Sequence, residues 1–462
     1  MKKRPFVITL ALGLGYSTSA LAAGPLGPQG TPITTSRYGL DLYQGPVLGS
    51  ARVTGLSGAV TPVAEGADAI SFNPAAVALR APYSTTRADW ELTGGLTLPS
   101  YVRNTDFDNN GKVGFTYDNF VWFMLGGLIQ YEKLAFGVIT SFQNYELGAP
   151  SELVALPDSG ETIQTVVVRL LRIEPVVGYA FFDEQLQVGF GLRFAAFYGI
   201  GRTTKESFDF DHERLLLNSN AIGAEAGVLF TPRRLPFRLG AALRSPATPT
   251  EAEAGRIPAN AEGDHVVGSL YLPERMELPW EVEAGVAVQL WRRPFNLPWA
   301  DEDKMDPHES EPYRRMVKGY PEPSYRAARR LLRERYAAIP RERVLLTLSG
   351  SLIGPVANAV GIESMLAQRV DRSGERTVGS VRAGVEAEVL PYWLVLRAGS
   401  YLEPTRFREG AARVHGTGGF DVRVLRSTIF GLFPDNTLFR LSVAVDGARD
   451  YFGWGLGAGV FH

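Results

Sequence analysis

Cysteine is absent from the 462-residue chain. A disulfide framework, a thiolate zinc site, iron–sulfur ligation and a cysteine nucleophile are thereby excluded. Charge of one sign is lacking too: 47 basic residues against 49 acidic ones leave a net charge of -2. Nucleic acid is therefore not an expected partner, since its recognition needs a basic excess on one face. Long apolar runs are also missing. A membrane helix requires about 20 apolar residues in succession, whereas a tilted membrane strand requires about 9–11. The longest run after the N-terminus, Phe120 to Ile129, spans ten residues with two glycines and suits the strand.

Chemical motifs are equally scarce. The histidines His212, His265, His308, His415 and His462 lack zinc-ligand spacing, and no Gly-x-Ser-x-Gly elbow occurs. Gly453, Gly455, Gly457 and Gly459 alternate strictly with larger residues, which fits a strand with one bare face better than a dinucleotide loop. Neither enzymatic activity, a cofactor nor a resident metal is expected.

What the chain does hold is 50 glycines beside 25 Phe, 18 Tyr and 7 Trp. Its start reads as an export signal: Lys2, Lys3 and Arg4, an apolar stretch from Phe6 to Tyr16, then Ala20-Leu21-Ala22. A positive n-region, a short h-region and a small-x-small site place cleavage before Ala23. The rest alternates with a period of two. Leu186, Val188, Phe190, Leu192 and Phe194 oppose Gln187, Gly189, Gly191, Arg193 and Ala195; Trp280 to Leu290, Val381 to Val389 and Phe439 to Asp446 repeat the pattern. Trp280, Trp454 and Tyr198 lie at the ends of apolar faces, as an aromatic girdle requires.

Short connections (Glu132-Lys133, Asp183-Glu184, Arg233 to Pro236, Pro391-Tyr392) alternate with longer polar ones (104–118, 147–160, 205–214, 246–264, 367–376, 408–413). Short turns at one end and long loops at the other is the outer-membrane pattern. About fourteen antiparallel strands follow, beginning near 88, 119, 133, 162, 185, 215, 237, 276, 343, 377, 394, 414, 437 and 451. The expected fold is an all-β transmembrane barrel in a Gram-negative outer membrane. Phe461 falls off the Trp454 face, and only a bulge near the end would bring this terminal aromatic to the lipid side.

Residues 24–82 do not alternate. They carry Gly49-Ser-Ala-Arg-Val-Thr-Gly-Leu-Ser-Gly-Ala59 and then Ala64-Glu-Gly-Ala-Asp-Ala-Ile-Ser-Phe-Asn-Pro-Ala75. Pro74 biases Asn73 away from the helical region, and the Asn73 side chain can bond exposed backbone there. This stretch resembles the N-terminal region of the FadL family of outer-membrane transporters and of related PorV-like barrels, with the Asn-Pro-Ala signature on Asn73, Pro74 and Ala75. Leu396-Arg-Ala-Gly-Ser-Tyr-Leu-Glu-Pro-Thr405 and Leu278-Pro-Trp-Glu-Val-Glu-Ala-Gly-Val-Ala287 resemble two of the family's strands. The resemblance implies a fourteen-stranded barrel whose N-terminal segment, here 23–82, is a hatch inside a wall spanning 83–462. It also implies passive uptake of hydrophobic small molecules such as long-chain fatty acids or aromatic hydrocarbons. The PorV-like side implies a scaffold that binds secreted or surface proteins instead. Lateral exit would need a locally unpaired strand, for which Gly137 is the candidate, since glycine marks bulges and close approaches.

On the non-apolar faces fall Arg193, Glu225, Glu281, Glu283, Arg382, Glu386, Glu388, Arg397, Asp421, Arg423 and Arg440. Both signs occur, so they form no charge-selective ring; pairing between hatch and wall, or contact with substrate head groups, are the two readings. Asp106, Asp108, Asn110 and Gly111 match the first half of a calcium loop, but Tyr117 stands where a bidentate glutamate belongs. An insertion at 293–342 is acidic first (Asp301, Glu302, Asp303, Asp306, Glu309, Glu311). From Pro323 and Ser324 it turns basic and helical, with Tyr325, Ala328, Leu332, Tyr336 and Ile339 on one face. Its candidate partners are inner-leaflet lipid headgroups or a periplasmic protein. Export predicts a mature chain starting at Ala23, which the intact mass of the membrane-extracted protein checks. Retention of Lys2 to Arg4 would refute it.

Overall fold

The computed structural model describes residues 26–81, 87–99, 105–113, 120–148, 154–155, 162–203, 213–249, 257–297, 334, 338–340, 343–390, 393–408, 410–426 and 438–461. Residues 1–22, where the export signal is expected, Tyr117 and nearly all of the 293–342 stretch lie outside them.

Fourteen antiparallel strands make the wall. They are β1 (Ala88–Pro99), β2 (Phe120–Tyr131), β3 (Leu134–Gly148), β4 (Thr165–Phe181), β5 (Leu186–Arg202), β6 (Glu213–Phe230) and β7 (Phe237–Arg244). There follow β8 (Glu281–Leu290), β9 (Val344–Ile353), β10 (Val378–Leu390), β11 (Leu394–Glu403), β12 (Arg413–Arg426), β13 (Leu438–Ala448) and β14 (Tyr451–Phe461). Each pairs with the next, and β14 returns to β1, from Glu91↔Phe461 to Pro99↔Gly453. Closure matters physically: in lipid an open edge would leave backbone N–H and C=O groups without partners. No helix among the described residues is long and apolar enough to cross a membrane.

The period of two decides which side each residue takes. On β5, Phe190 keeps 59% of its surface open while Gln187, on the opposite face, keeps none. Leu92, Leu125, Phe136, Leu348, Val381 and Leu441 form part of the same open apolar outside. Inside lie Thr93, Gln130, Arg193, Glu283, Ser349, Arg382, Glu386 and Asp421, all buried. This is an inverted arrangement relative to a soluble protein, and it fits a lipid-facing exterior around a polar interior.

Three expectations need correction. The eighth strand begins at Glu281, not near 276, because Pro279 has no N–H to give to the ladder. Arg275–Glu277 pairs instead, in parallel, with a short strand at Gly39–Asp41. Gly137 marks no unpaired strand: β3 is hydrogen-bonded on both sides through Leu128↔Gly137 and Gly137↔Val176. Its missing side chain leaves room for Val77 and Ile70. No bulge precedes Phe461, since β14 pairs in unbroken register from Tyr451 to Phe461.

The wall does carry one interruption in mid-barrel. Between β4 and β5 the ladder holds at Ile173↔Phe194 and resumes at Val176↔Gly191. Pro175, lacking its donor, occupies the gap.

The outward apolar face can be tested directly. Leu125 lies mid-strand on β2 and is 55% exposed. Leu125→Arg should destabilise the folded barrel in bilayers by about 2–4 kcal/mol, the usual cost of a cation at the midplane. Denaturant titration in lipid vesicles would show this, and an unchanged midpoint would mean that this face does not meet lipid.

Candidate functional site

The described N-terminal residues run down the inside of the wall. Residues 26–45 sit at the long-loop end, where Gly39–Asp41 pairs with Arg275–Glu277 on one side and Ala359–Val360 on the other. Asp41, buried there, receives Arg406 at 2.9 and 3.2 Å and the Ser373 hydroxyl at 2.8 Å. From Ser50 the chain enters the lumen. A short helix, Ala51–Gly55, starts with the Ser50 hydroxyl accepting from the Val53 amide, and packs on β12 and β13. A turn at Thr61–Val63 meets β7 and β8, and a turn at Pro74–Ala78 meets β4, β5 and β6.

Such backbone-to-wall contact needs bare wall. Gly178, Gly189 and Gly227 are cross-strand neighbours on β4, β5 and β6. Side chains at Gly189 and Gly227 would collide with Pro74 and with Asn73 Oδ1, and one at Gly178 with Val77. The pair Gly240↔Gly285 lies under Thr61 and Pro62, and the pair Gly384↔Gly399 under Leu56 and Ser57. The glycines thus mark the track on which the segment lies.

Asn73 is the knot of this track. It is wholly buried; its amide nitrogen donates to the carbonyls of Thr61 and Val228, both at 3.0 Å, and its Oδ1 accepts from the Ala75 amide at 3.0 Å. One side chain thereby ties two parts of the segment to β6. Pro74 suits the first position of the following turn, where an N–H would have no partner. Ala75 is small enough to be fully buried against the wall. Wall side chains satisfy other segment carbonyls: Gln130 donates to Val77 at 2.6 Å and Leu79 at 3.1 Å, and Thr347 to Ala59 at 2.6 Å.

The polar residues singled out in the sequence come together in ion-pair chains. Glu386 receives Arg397 at 2.7 Å, Arg343 at 2.5 Å and Arg52 at 3.7 Å. Arg397 also holds Asp421 at 2.6 Å, and Arg440 joins Asp421 at 3.9 Å to Asp68 at 3.1 Å. Around β7 and β8, Arg193 lies 3.5 Å from Glu281, and Arg244 lies 3.4, 3.9 and 3.9 Å from Glu281, Glu283 and Glu225. Arg382 reaches Glu283 at 3.5 Å, while Glu283 also takes the Thr61 hydroxyl. Neither carboxylate oxygen of Glu225 has a hydrogen bond. Glu388 and Arg423 lie apart from the segment: Glu388 pairs with Arg293 at 2.7 Å and Arg423 at 3.6 Å.

Sequence reasoning missed Arg52, Asp68, Arg244 and Glu174. Arg244 shares the inward parity of Gly240 and Ala242 and was legible in principle; Glu174, opposite Ile173 on β4, was too. Glu174 accepts from the Ser71 hydroxyl at 2.5 Å, and Arg244 donates to the Ser71 carbonyl. Arg52 and Asp68 sit in a segment without alternation, so no pattern assigned them a side.

Chemically, the arrangement is a peptide segment held across a lumen by revocable bonds: ion pairs, amide hydrogen bonds and van der Waals contact on glycine. At the short-turn end beneath it lies a cavity of about 40 Å³ lined by Glu65, Arg80, Gln187, Thr231, Arg238 and Phe295 among others. That volume accommodates water and no drug-sized ligand, for which pockets of about 300–1,000 Å³ are usual. Asp106, Asp108 and Asn110 lie away from the lumen charges, in the loop after β1 at the long-loop end. Among the described residues no three acidic or histidine side chains converge as a metal cluster.

No protein-family model and no curated protein matches the chain. Among solved structures, the crystal structure of a Pseudomonas aeruginosa FadL homologue matches it with a TM-score of 0.50 at 11% identity, covering 91% of this chain and 99% of that one. Looser matches include the P. putida toluene transporter TodX (TM-score 0.45, 11% identity, 90% and 98% covered) and the CymD monoaromatic hydrocarbon channel (0.46, 12%, 89% and 96%). The chain therefore has the fold of the FadL homologue: a fourteen-stranded, outer-membrane type of β-barrel.

Proposed function

We propose that the chain is an outer-membrane channel for passive uptake of hydrophobic small molecules, with residues 50–79 as its hatch. Long-chain fatty acids and aromatic hydrocarbons are the substrate class. The observation that supports this reading is the way the segment lies against the inside of the wall. It is laid on a glycine track and fastened by Asn73, Arg52, Thr61, Asp68 and Ser71, with no continuous sheet joining it to the wall. Such fastenings can open one after another and close again. The fold shared with the FadL homologue, and the Asn73-Pro74-Ala75 signature, support the same reading.

In this scheme the long loops face outward and the short turns face the periplasm. A hydrophobic molecule is captured at the long-loop end, and the segment shifts along its track to let it pass. The interrupted seam at Pro175, between β4 and β5, is the candidate place in the wall for a sideways exit. Lumen arginines such as Arg193 and Arg244 would meet any carboxylate head group on the way.

A chain without native cysteine offers a clean lock. Ala51 Cβ lies 3.8 Å from the position a side-chain carbon would take at Gly457, within the usual disulfide span of about 3.5–4.5 Å. Ala51→Cys with Gly457→Cys should oxidise spontaneously and cut uptake of a radiolabelled fatty acid or toluene by cells at least tenfold, with recovery on reduction. Equal uptake in oxidised and reduced forms would sink the hatch. No uptake above empty-vector cells in either form, or in the parent chain, would sink hydrophobic transport and leave the scaffold reading.

A further inference from the structure

The stretch that opens at Arg293 leaves the wall abruptly. Trp291, at φ +75°, turns the chain out of β8, and Pro294 has no N–H with which to extend the ladder. Two wall residues hold Arg293 at this corner: the Gln289 side chain donates to its carbonyl, and its guanidinium pairs with Glu388 at 2.7 Å. The residues that follow, up to Leu297, line the cavity at the short-turn end.

Asn296 fastens this piece to the turn between β6 and β7. Its amide nitrogen donates to the carbonyls of Pro232, Leu235 and Phe237 at 2.8, 3.0 and 2.9 Å. Its Oδ1 accepts from Arg238 Nε at 2.8 Å. Arg238 also donates to the Phe295 carbonyl at 3.2 Å, and its guanidinium carbon sits 4.1 Å from the centre of the Phe295 ring. A cation so placed over an aromatic face is attracted by the ring quadrupole. The ring itself packs on the apolar cluster that Val60 and Val63 of the segment form with Ala287 and Leu345 of the wall.

The charge of Arg238 is turned toward the segment. Its Nη1 lies 3.6 Å from Glu65, which also pairs with Arg52 at 3.2 Å. Arg52 donates to the Val63 carbonyl at 3.2 Å and lies 3.7 Å from Glu386. Glu386 takes Arg343, the described residue that closes the stretch at its far end, at 2.5 Å. One line of contacts thus runs Asn296–Arg238–Glu65–Arg52–Glu386–Arg343, and Glu65 and Arg52 in its middle belong to the segment. Arg238 is buried, so drawing Glu65 away would leave a cation without its carboxylate. Withdrawing Phe295 and Asn296 would instead open Arg238 to water, where an ion pair is worth little and parts readily.

We propose that Phe295 and Asn296 form a bracket that locks residues 60–65 from the short-turn end, and that the segment shifts only after this bracket swings clear. The consequence for passage rests on the hatch reading; the bracket itself does not. In the scheme above, substrate is captured at the opposite end. Release at the short-turn end is therefore a step separate from capture, controlled by a different piece of chain.

The test uses a single thiol as reporter. Ser57 is wholly buried in the segment, beside Gly399 and Thr417 on β11 and β12, whereas the bracket is fastened to β7 and the turn before it. A local gap left by a trimmed Phe295 does not by itself uncover it. In full-length Ser57→Cys protein in lipid vesicles, the rate of labelling by N-ethylmaleimide is followed by mass. Adding Phe295→Ala or Asn296→Ala should speed labelling roughly tenfold, as a lowered cost of local opening does. Phe295→Trp, which keeps a ring against Arg238, should label at the parent rate, and so should Phe182→Ala, at an exposed turn position outside the bracket. Heat-modified gel mobility identifies a variant that fails to fold. Glu65→Gln, which cuts the same line from the segment side, should also accelerate labelling and serves where the alanine variants do not fold. Parent-like labelling in the folded alanine variants would overturn the bracket, as would equal acceleration by Phe182→Ala. The readout needs no substrate. Faster labelling in a chain that takes up no toluene would uphold the bracket while the transport reading fell. Parent-like labelling in a chain that does take up toluene would strike the bracket alone.

Discussion

Two backbones can lie against one another only where one of them gives up its side chains. That constraint shapes the interior of this barrel. Residues 50–79 lie in direct contact with the wall, and glycines make room for them at several close approaches: 178, 189 and 227 under 73–78, 240 and 285 under 61–62, 384 and 399 under 56–57. Cross-strand register brings these glycines together, since Gly178↔Gly189, Gly189↔Gly227, Gly240↔Gly285 and Gly384↔Gly399 are direct neighbours. Bulk at any one of them would push the segment away from its hydrogen bonds as well as from the wall.

The second constraint is electrical. Charges buried between the segment and the wall need partners. Breaking a buried pair by removing one member typically costs about 3–5 kcal/mol, whereas the intact pair adds little over an apolar substitute. Chains such as Asp68–Arg440–Asp421–Arg397–Glu386–Arg52 therefore serve position more than stability. They fix where the segment lies. Uncharged bonds complete the fastening: Asn73 to Val228, Gln130 to Val77 and Thr347 to Ala59.

The wall was legible in the sequence because its physics is local. Whether a residue faces lipid or lumen depends on parity alone, so Leu186 to Tyr198 or Val381 to Val389 could be assigned without any knowledge of neighbours. The interior was legible only in part. Parity placed Arg193, Glu283, Glu386 and Arg440 on the inward side, but it could not say that Glu386 meets Arg52 or that Arg440 meets Asp68, pairs formed between segments over 300 residues apart. The same holds for Gly39–Asp41, which pairs with loop strands more than 200 residues later. Gly137 was a fair candidate for an irregular strand, yet what it accommodates is Val77, a contact between a strand and a segment that period two does not describe. The turn at Asp106 to Gly111 likewise meets a loop some 250 residues on, where Asn110 donates to Glu363.

The strap at Gly39–Asp41 has a consequence for assembly. It is wedged between pieces of two long loops, while the chain that follows passes through the lumen to reach β1, whose other edge pairs with the last strand, β14. A ring sealed first would have to be threaded afterwards by its own leading end. The order that avoids this topological toll is the reverse: the sheet curls around the segment already in place, and the β1–β14 seam zips last. The segment then doubles as a mandrel on which the cylinder is wound.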